Sequence, residues 1–129
     1  MNLVDSSGWI EFFQAGSNGP FFKPVIEHRD QLLVPTLALF EVHHVLSRKL
    51  SADLVERCLD VMRLGRVLEL TDKRAVAASK ASGAHHLPLA GGAMYSMAQE
   101  FGATFWTQDA DYDGLCGVRY FAKPGRLKN

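Results

Sequence analysis

Asp5, Glu41, Asp109 and Asp111 are the residues whose type and placement suggest chemistry. Asp5 stops the apolar run at Asn2 to Val4, and Asp109 stops the run "ATFWTQ". Glu41 lies between Phe40 and Val42, and Asp111 follows Asp109 in the segment "QDADYDGL". Carboxylates brought together repel, which raises at least one pKa unless a cation intervenes. Several oxygens with no imidazole or thiolate suit Mg²⁺ or Mn²⁺. A hard divalent ion lowers the pKa of a bound water and neutralises charge on a phosphoryl transition state. The chemistry suggested is phosphodiester hydrolysis. Each acid alone also reads as an ordinary surface group. Asp5 and Asp109, at two strand ends, are the pair for which the chemical reading is stronger. Asp111 also suits a turn cap, and Asp113 a turn residue ahead of Gly114.

The elements that must position these acids alternate along the chain. "NLV", "QLLVP", "RVLEL", "ATFWTQ" and "VRYFA" read as strands, the last as an edge. Between them lie helical segments. Ser6 and Ser7 are candidate caps for a short helix through Trp9 to Phe13, and "FFKPVIEHR" reads as a helix with Pro24 in its first turn. Thr36 precedes "LALFEVHHVLSRKL", with Leu37, Phe40, Val45 and Leu46 on its apolar side. Ser51 precedes "ADLVERCLDVMRLG", with Leu54, Cys58, Val61 and Met62 facing inward. Thr71 caps "DKRAVAASKASGA", and a further helix follows Pro88 and ends near Gly102. Strand–helix alternation predicts an α/β fold: a parallel sheet of about five strands, flanked by helices on both faces. Such sheets bind ligands beyond the carboxyl ends of their strands. Asp5 and Asp109 sit at two such ends.

The 129 residues, 47% of them hydrophobic, suit one domain over residues 1–123, with 124–129 a polar tail. Lys and Arg number 14, as do Asp and Glu, which argues against a large basic footprint for duplex DNA but leaves RNA open. Cys58 and Cys116 lack metal-finger spacing and read as buried, reduced thiols. No signal-like segment or membrane-length apolar run is present, so the reading is a cytoplasmic protein with no membrane partner.

Four segments, "LVDSSGWIEFF", "LLVPTLALFEV", "LPLA" and "ATFWTQDADYDGL", resemble the PIN domain, in particular the VapC-type toxins of bacterial toxin–antitoxin pairs. Each is short; together, in order, they cover about Asn2 to Phe121. The resemblance implies an α/β/α sandwich and a Mg²⁺- or Mn²⁺-dependent endoribonuclease. It implies Asp5 as the first metal-binding acid, Glu41 as the acid on the helix after the second strand, and Asp109 as the acid after the fourth. Asp111 lies in the same acidic turn, Ser6 in the first motif, and Thr107 is the hydroxyl that precedes the last acids. The implied partners are a VapB-like antitoxin, an RNA substrate and a second copy in a homodimer.

The chain departs from the family directly after "LPLA", where an acid is expected and Gly91 stands. An acid in a helix's first turn gains from the macrodipole, whereas glycine forgoes that and a carboxylate ligand. Removing one charge also relieves repulsion among the others, about 1–4 kcal/mol per pair in a partly wet site. The expectation is a nuclease that folds and binds its antitoxin but is weakened. Gly92 reads as a close backbone approach. A catalytically silent binding module is the competing reading; a phosphatase-like or receiver-like domain fares worse, for want of a lysine near the sheet end.

Other residues carry weaker signals. His43 and His44 are adjacent and lack the i, i+4 spacing of a zinc pair, and His85 and His86 read as loop residues. Trp9, Phe12, Phe13, Phe21 and Phe22 read chiefly as core, with any exposed share available to an antitoxin helix. Arg48, Lys49, Arg63 and Arg66 read as a solvated face that could touch RNA phosphates.

Overall fold

The computed structural model describes residues 1–124; the remainder of the expected polar tail lies outside the described residues. Five strands form one sheet: β1 (Asn2–Val4), β2 (Leu32–Pro35), β3 (Arg66–Leu68), β4 (Thr104–Thr107) and β5 (Val118–Tyr120). Their order is β3-β2-β1-β4-β5, and every neighbouring pair is parallel. Six helices connect them: α1 (Ser6–Phe13), α2 (Gly19–Glu27), α3 (Thr36–Leu46), α4 (Ala52–Met62), α5 (Asp72–His85) and α6 (Leu89–Glu100).

The central strands are short, apolar and covered on both faces. Leu3 pairs with Leu33 on one side and Phe105 on the other, and all three are fully buried. Each residue of β2 is buried, including neighbours that point to opposite faces. A strand buried on both faces has to read as a continuous apolar run, and these do. The expected α/β architecture of about five parallel strands is the observed one.

Local details depart from the sequence reading in instructive ways. Asp5, not Ser6 or Ser7, is the N-cap of α1: its carboxylate accepts from the Gly8 N–H. Pro24 sits inside α2 and not in its first turn, because the helix starts earlier, with Gly19 and Pro20 as its opening residues. Thr36 is the first residue of α3 and makes no capping bond. Ser51 and Thr71 do cap α4 and α5, accepting from Leu54 N and Arg74 N. His85 belongs to α5, and His86 closes that helix in the left-handed conformation.

In two helices the expected inward face is met only in part: Leu46 and Met62 are buried and Leu37, Cys58 and Val61 pack against the core, but Phe40 and Leu54 do not turn inward. In α3 the buried residues are Ala38, Val42 and Leu46, while Phe40 is 69% exposed. In α4 they are Val55, Leu59 and Met62, while Leu54 is exposed. Both helices carry apolar residues on adjoining stripes one residue apart. Periodicity alone cannot choose between such stripes; contact with the rest of the fold does. The thiols also differ: Cys116 is exposed and Cys58 half-buried, and both are free.

Gly92 behaves as expected. A Cβ there would lie 2.8 Å from the Ser82 Cβ and 2.9 Å from its Cα, so α6 can meet α5 only without a side chain. The Ser82 hydroxyl donates to the Leu87 carbonyl and pins the connection. Gly92→Ala is therefore expected to destabilise the fold by about 1–3 kcal/mol, as overpacking does. The check is a lowered urea midpoint at unchanged slope; an unchanged midpoint would mean the two helices have room to spare.

Candidate active site

Parallel strands bring their carboxyl ends to one edge of the sheet. β1 is central; the chain leaves it for β2 on one side and later returns as β4 on the other. The crevice between the ends of β1 and β4 is where the strand order reverses, the usual ligand position in such sheets. Asp5 follows β1 directly, and Asp109 lies two residues past β4. Together with Glu41 of α3 they line one cleft of about 510 Å³, whose walls include Ser6, Ser7, Phe40, Gly91 and Tyr112.

Asp5 is 4% exposed and is held by three donors. Its Oδ1 accepts from Ser7 Oγ at 2.7 Å and Gly8 N at 3.1 Å, and its Oδ2 accepts from Thr107 Oγ1 at 2.7 Å. Burial pushes its pKa up to about 6; the three hydrogen bonds oppose that rise, and the nearby Asp109 charge adds to it. Thr107 is itself fully buried and accepts from the Asp109 N–H at 2.9 Å, so one hydroxyl ties both acids together. Ser7 Oγ also accepts from Gln108 N at 3.2 Å, tying α1 to the end of β4.

The remaining acids are placed unequally. Glu41 is half-buried, and its Oε1 accepts from Ser6 Oγ at 2.5 Å. Asp109 Oδ1 accepts from the Asp111 N–H at 2.9 Å, capping the short 3₁₀ turn Ala110–Tyr112. Asp111 is exposed, and its side chain is not part of the cleft wall. Asp113 is an exposed residue ahead of Gly114, which has a φ of +86°. The structure thus gathers Asp5, Glu41 and Asp109 with Ser6 and Thr107, and leaves Asp111 outside. His44 reaches the cleft wall, where its ring contacts Arg48 at 3.1 Å. Arg63 is engaged by Glu56 and Asp60, and Arg66 lies over the Phe101 ring. Among the opening aromatics, Trp9 and Phe22 are fully buried, and the half-exposed Phe21 stacks on Phe121.

Position 91 has a neighbour that sequence reasoning missed. Gly91 is buried in the first turn of α6. A Cβ built there would run into the hydroxyl of Tyr112, with the phenol Cζ at 3.1 Å. Tyr112 is 3% exposed and its ring packs on Phe105 at 4.7 Å between centroids. Burial, followed by the charges of Asp5, Asp109, Glu41 and Asp111, drives the phenol pKa far above its ordinary value. Tyr112 is therefore neutral and a proton donor. Ser7, a cap candidate by sequence, donates its hydroxyl to the Asp5 carboxylate instead. Its only sequence signal was proximity to Asp5.

The cleft's donors are hard oxygens, which suit Mg²⁺ or Mn²⁺ in kind. They do not form a closed cage. Among the described residues, no three His, Cys, Asp or Glu side chains stand close enough to hold an ion together. Three of the roughly four acceptor sites on Asp5 are already used. An ion that keeps most of its own waters needs only one or two carboxylates, and the site fits that mode of binding.

Asp5 binds its proton more tightly in the fold than in the unfolded chain, at about 6 against 3.8. Between those values the folded state holds more protons, so its stability falls as pH rises. The stabilisation is complete below the unfolded value and lost through the folded one, about 3 kcal/mol in all. In EDTA, Asp5→Asn is thus expected to be more stable than the parent at neutral pH, the gap closing towards about pH 4. Urea unfolding across that range tests it; a gap independent of pH would refute the role given to Asp5.

Comparison with known proteins gives the geometry a family. The chain is similar in fold to a toxin–antitoxin complex from Klebsiella pneumoniae, with a TM-score of 0.79 at 16% identity over 95% of this chain and 99% of that one. It is also similar to VapC20 of Mycobacterium tuberculosis, a sarcin–ricin loop cleaving toxin, with a TM-score of 0.70 at 15% identity over 88% and 92%. VapBC2 of Rickettsia felis, bound to a promoter DNA fragment, matches with a TM-score of 0.71 at 8% identity over 94% and 97%. No curated protein matches the sequence. A family model, the PIN domain, matches residues 3–118. The chain belongs to the PIN domain family.

Proposed function

We propose that the chain is a Mg²⁺- or Mn²⁺-dependent endoribonuclease, the toxin of a VapBC-like toxin–antitoxin pair acting in the cytoplasm. The observation that carries this reading is the placement of Asp5, Glu41 and Asp109 around one cleft at the switch point of a parallel sheet. Family membership supports it, as does the likeness to toxins described with antitoxins or with an RNA target.

In this reading Asp5 and Asp109 would hold the cation, and Glu41 would orient the attacking water. When bound, the ion supplies an activated water and a counter-charge for the phosphate. Ser7 and Thr107 keep Asp5 aimed and ionised against the cost of its burial. Ser6 fixes the Glu41 carboxylate. Asp111 shapes the turn that presents Asp109, through its N–H, and acts on the reaction only that way. Phe40, 69% exposed at the cleft wall, offers an apolar surface for a VapB-like antitoxin helix, and a homodimer is part of the proposal.

A second reading is a catalytically silent PIN module that only captures an antitoxin. What favours it is Gly91, with the Tyr112 hydroxyl in the space an acid there would need. The two readings separate in a cleavage assay with Mn²⁺, total bacterial RNA and a sarcin–ricin hairpin. The nuclease reading expects slow cleavage, abolished by EDTA and reduced about 100-fold or more by Asp109→Asn, the scale of losing one stabilising group in a reaction centre. It also expects Gly91→Asp, placed in a Tyr112→Phe background that frees the space, to bind Mn²⁺ about tenfold tighter than Tyr112→Phe alone. No metal-dependent cleavage by any of these chains would leave the silent module as the function.

A further inference from the structure

The cleft contains a feature that the acids do not explain. Helix α6 starts at the cleft wall: Pro88, Ala90 and Gly91 line it. Its N-cap position is Pro88, and no side chain caps the opening turn. The first N–H groups of a helix have no partner within it and carry the positive end of its dipole. An acid at position 91 would have lain against that end. Gly91 leaves it bare.

Beside that turn stands the Tyr112 hydroxyl, against the place where a Cβ on Gly91 would be. Tyr112 is 3% exposed and lines the cleft, and among the described residues its hydroxyl makes no hydrogen bond to a protein acceptor. The other hydroxyls at this site are committed: Ser6 to Glu41, Ser7 and Thr107 to Asp5. Ionised carboxylates only accept, and so does a phosphodiester. On the α6 side of the cleft, the groups free to meet a phosphate are the Tyr112 hydroxyl and the open turn of α6; His44, with Arg48 against its ring, stands on the α3 side.

We propose that the first turn of α6 and the Tyr112 hydroxyl form a phosphate subsite, so that the loss of an acid at position 91 has turned a cation-binding position into an anion-binding one. Helix N-termini bind phosphate by this combination of free N–H groups and dipole. The ligand class is a phosphodiester of RNA, an assignment that rests on the ribonuclease reading; the subsite itself does not.

Two measurements test it. The first uses inorganic phosphate and thermal unfolding in EDTA. Phosphate is expected to raise the melting temperature of the wild-type chain and to lose most of that effect in Tyr112→Phe, which keeps the ring packed on Phe105. Equal phosphate shifts in the two chains would overturn the subsite. The second follows a fluorescein-labelled ten-nucleotide RNA by anisotropy, with Ca²⁺ as the only divalent ion. Tyr112→Phe is expected to weaken binding about tenfold, the worth of a hydrogen bond to a charged acceptor. Wild-type and variant affinities that coincide would remove Tyr112 from RNA binding. A phosphate effect without RNA binding would sustain the subsite and refute the nucleic-acid ligand. Gly91→Ala supplies a geometric control: it should lower the melting temperature by several degrees alone and by much less in the Tyr112→Phe background. The same loss in both backgrounds would mean that the hydroxyl does not occupy that space.

Discussion

A carboxylate buried at the end of a central strand cannot stand unaided. Asp5 is removed from water, and its charged form survives only because Ser7, Gly8 and Thr107 donate to it. That requirement organises the surroundings. Gly8 donates because Asp5 is the N-cap of α1. Thr107 donates because β4 runs parallel to β1 in a register that pairs Val4 with Trp106. Ser7 donates while accepting from Gln108 N, which locks α1 to the turn that carries Asp109. A single desolvated group thus couples the first helix, the central strand pair and the last acidic turn.

The same need for donors sets the order within the cleft. Each acid that lines it is matched by a donor close in space. Asp5 has three, Glu41 has Ser6, and Asp109 has the Asp111 N–H. Donors of this kind fix orientation without supplying a counter-charge, so repulsion among the acids remains. A cation relieves it; so does the absence of an acid at position 91. Gly91 and Tyr112 act as a pair: a residue without a side chain on α6 admits the phenol of the turn after β4, and the phenol brings a neutral donor to the cleft.

A second network supports the turn from behind. Asn18 is buried, and its amide donates to Gln108 Oε1 at 3.0 Å and to the Ala122 carbonyl at 3.1 Å. Glu11 accepts from Asn18 N at 2.8 Å and from Gln108 Nε2 at 3.4 Å. These bonds join α1, the start of α2 and the chain after β5 to the residue beside Asp109. The acid is therefore presented on a braced loop, which limits its drift when charge enters the cleft.

The sequence by itself determined the strand–helix alternation, the parallel sheet and the two acids at strand ends, because short apolar runs stopped by aspartate are local signals. It also located the caps at Ser51 and Thr71 and the close approach at Gly92. It did not determine the full buried face of α3 or α4, where Phe40 and Leu54 turn outward, since both helices carry apolar residues on adjoining stripes. Nor did it identify Asp5 as a cap, separate Asp111 from the cleft, or connect Tyr112 with Gly91. Those outcomes were decided by tertiary structure: they depend on which surfaces the packed sheet brings within hydrogen-bonding or van der Waals distance. Residues far apart in sequence carry no mark of such a meeting until the strands between them are in register.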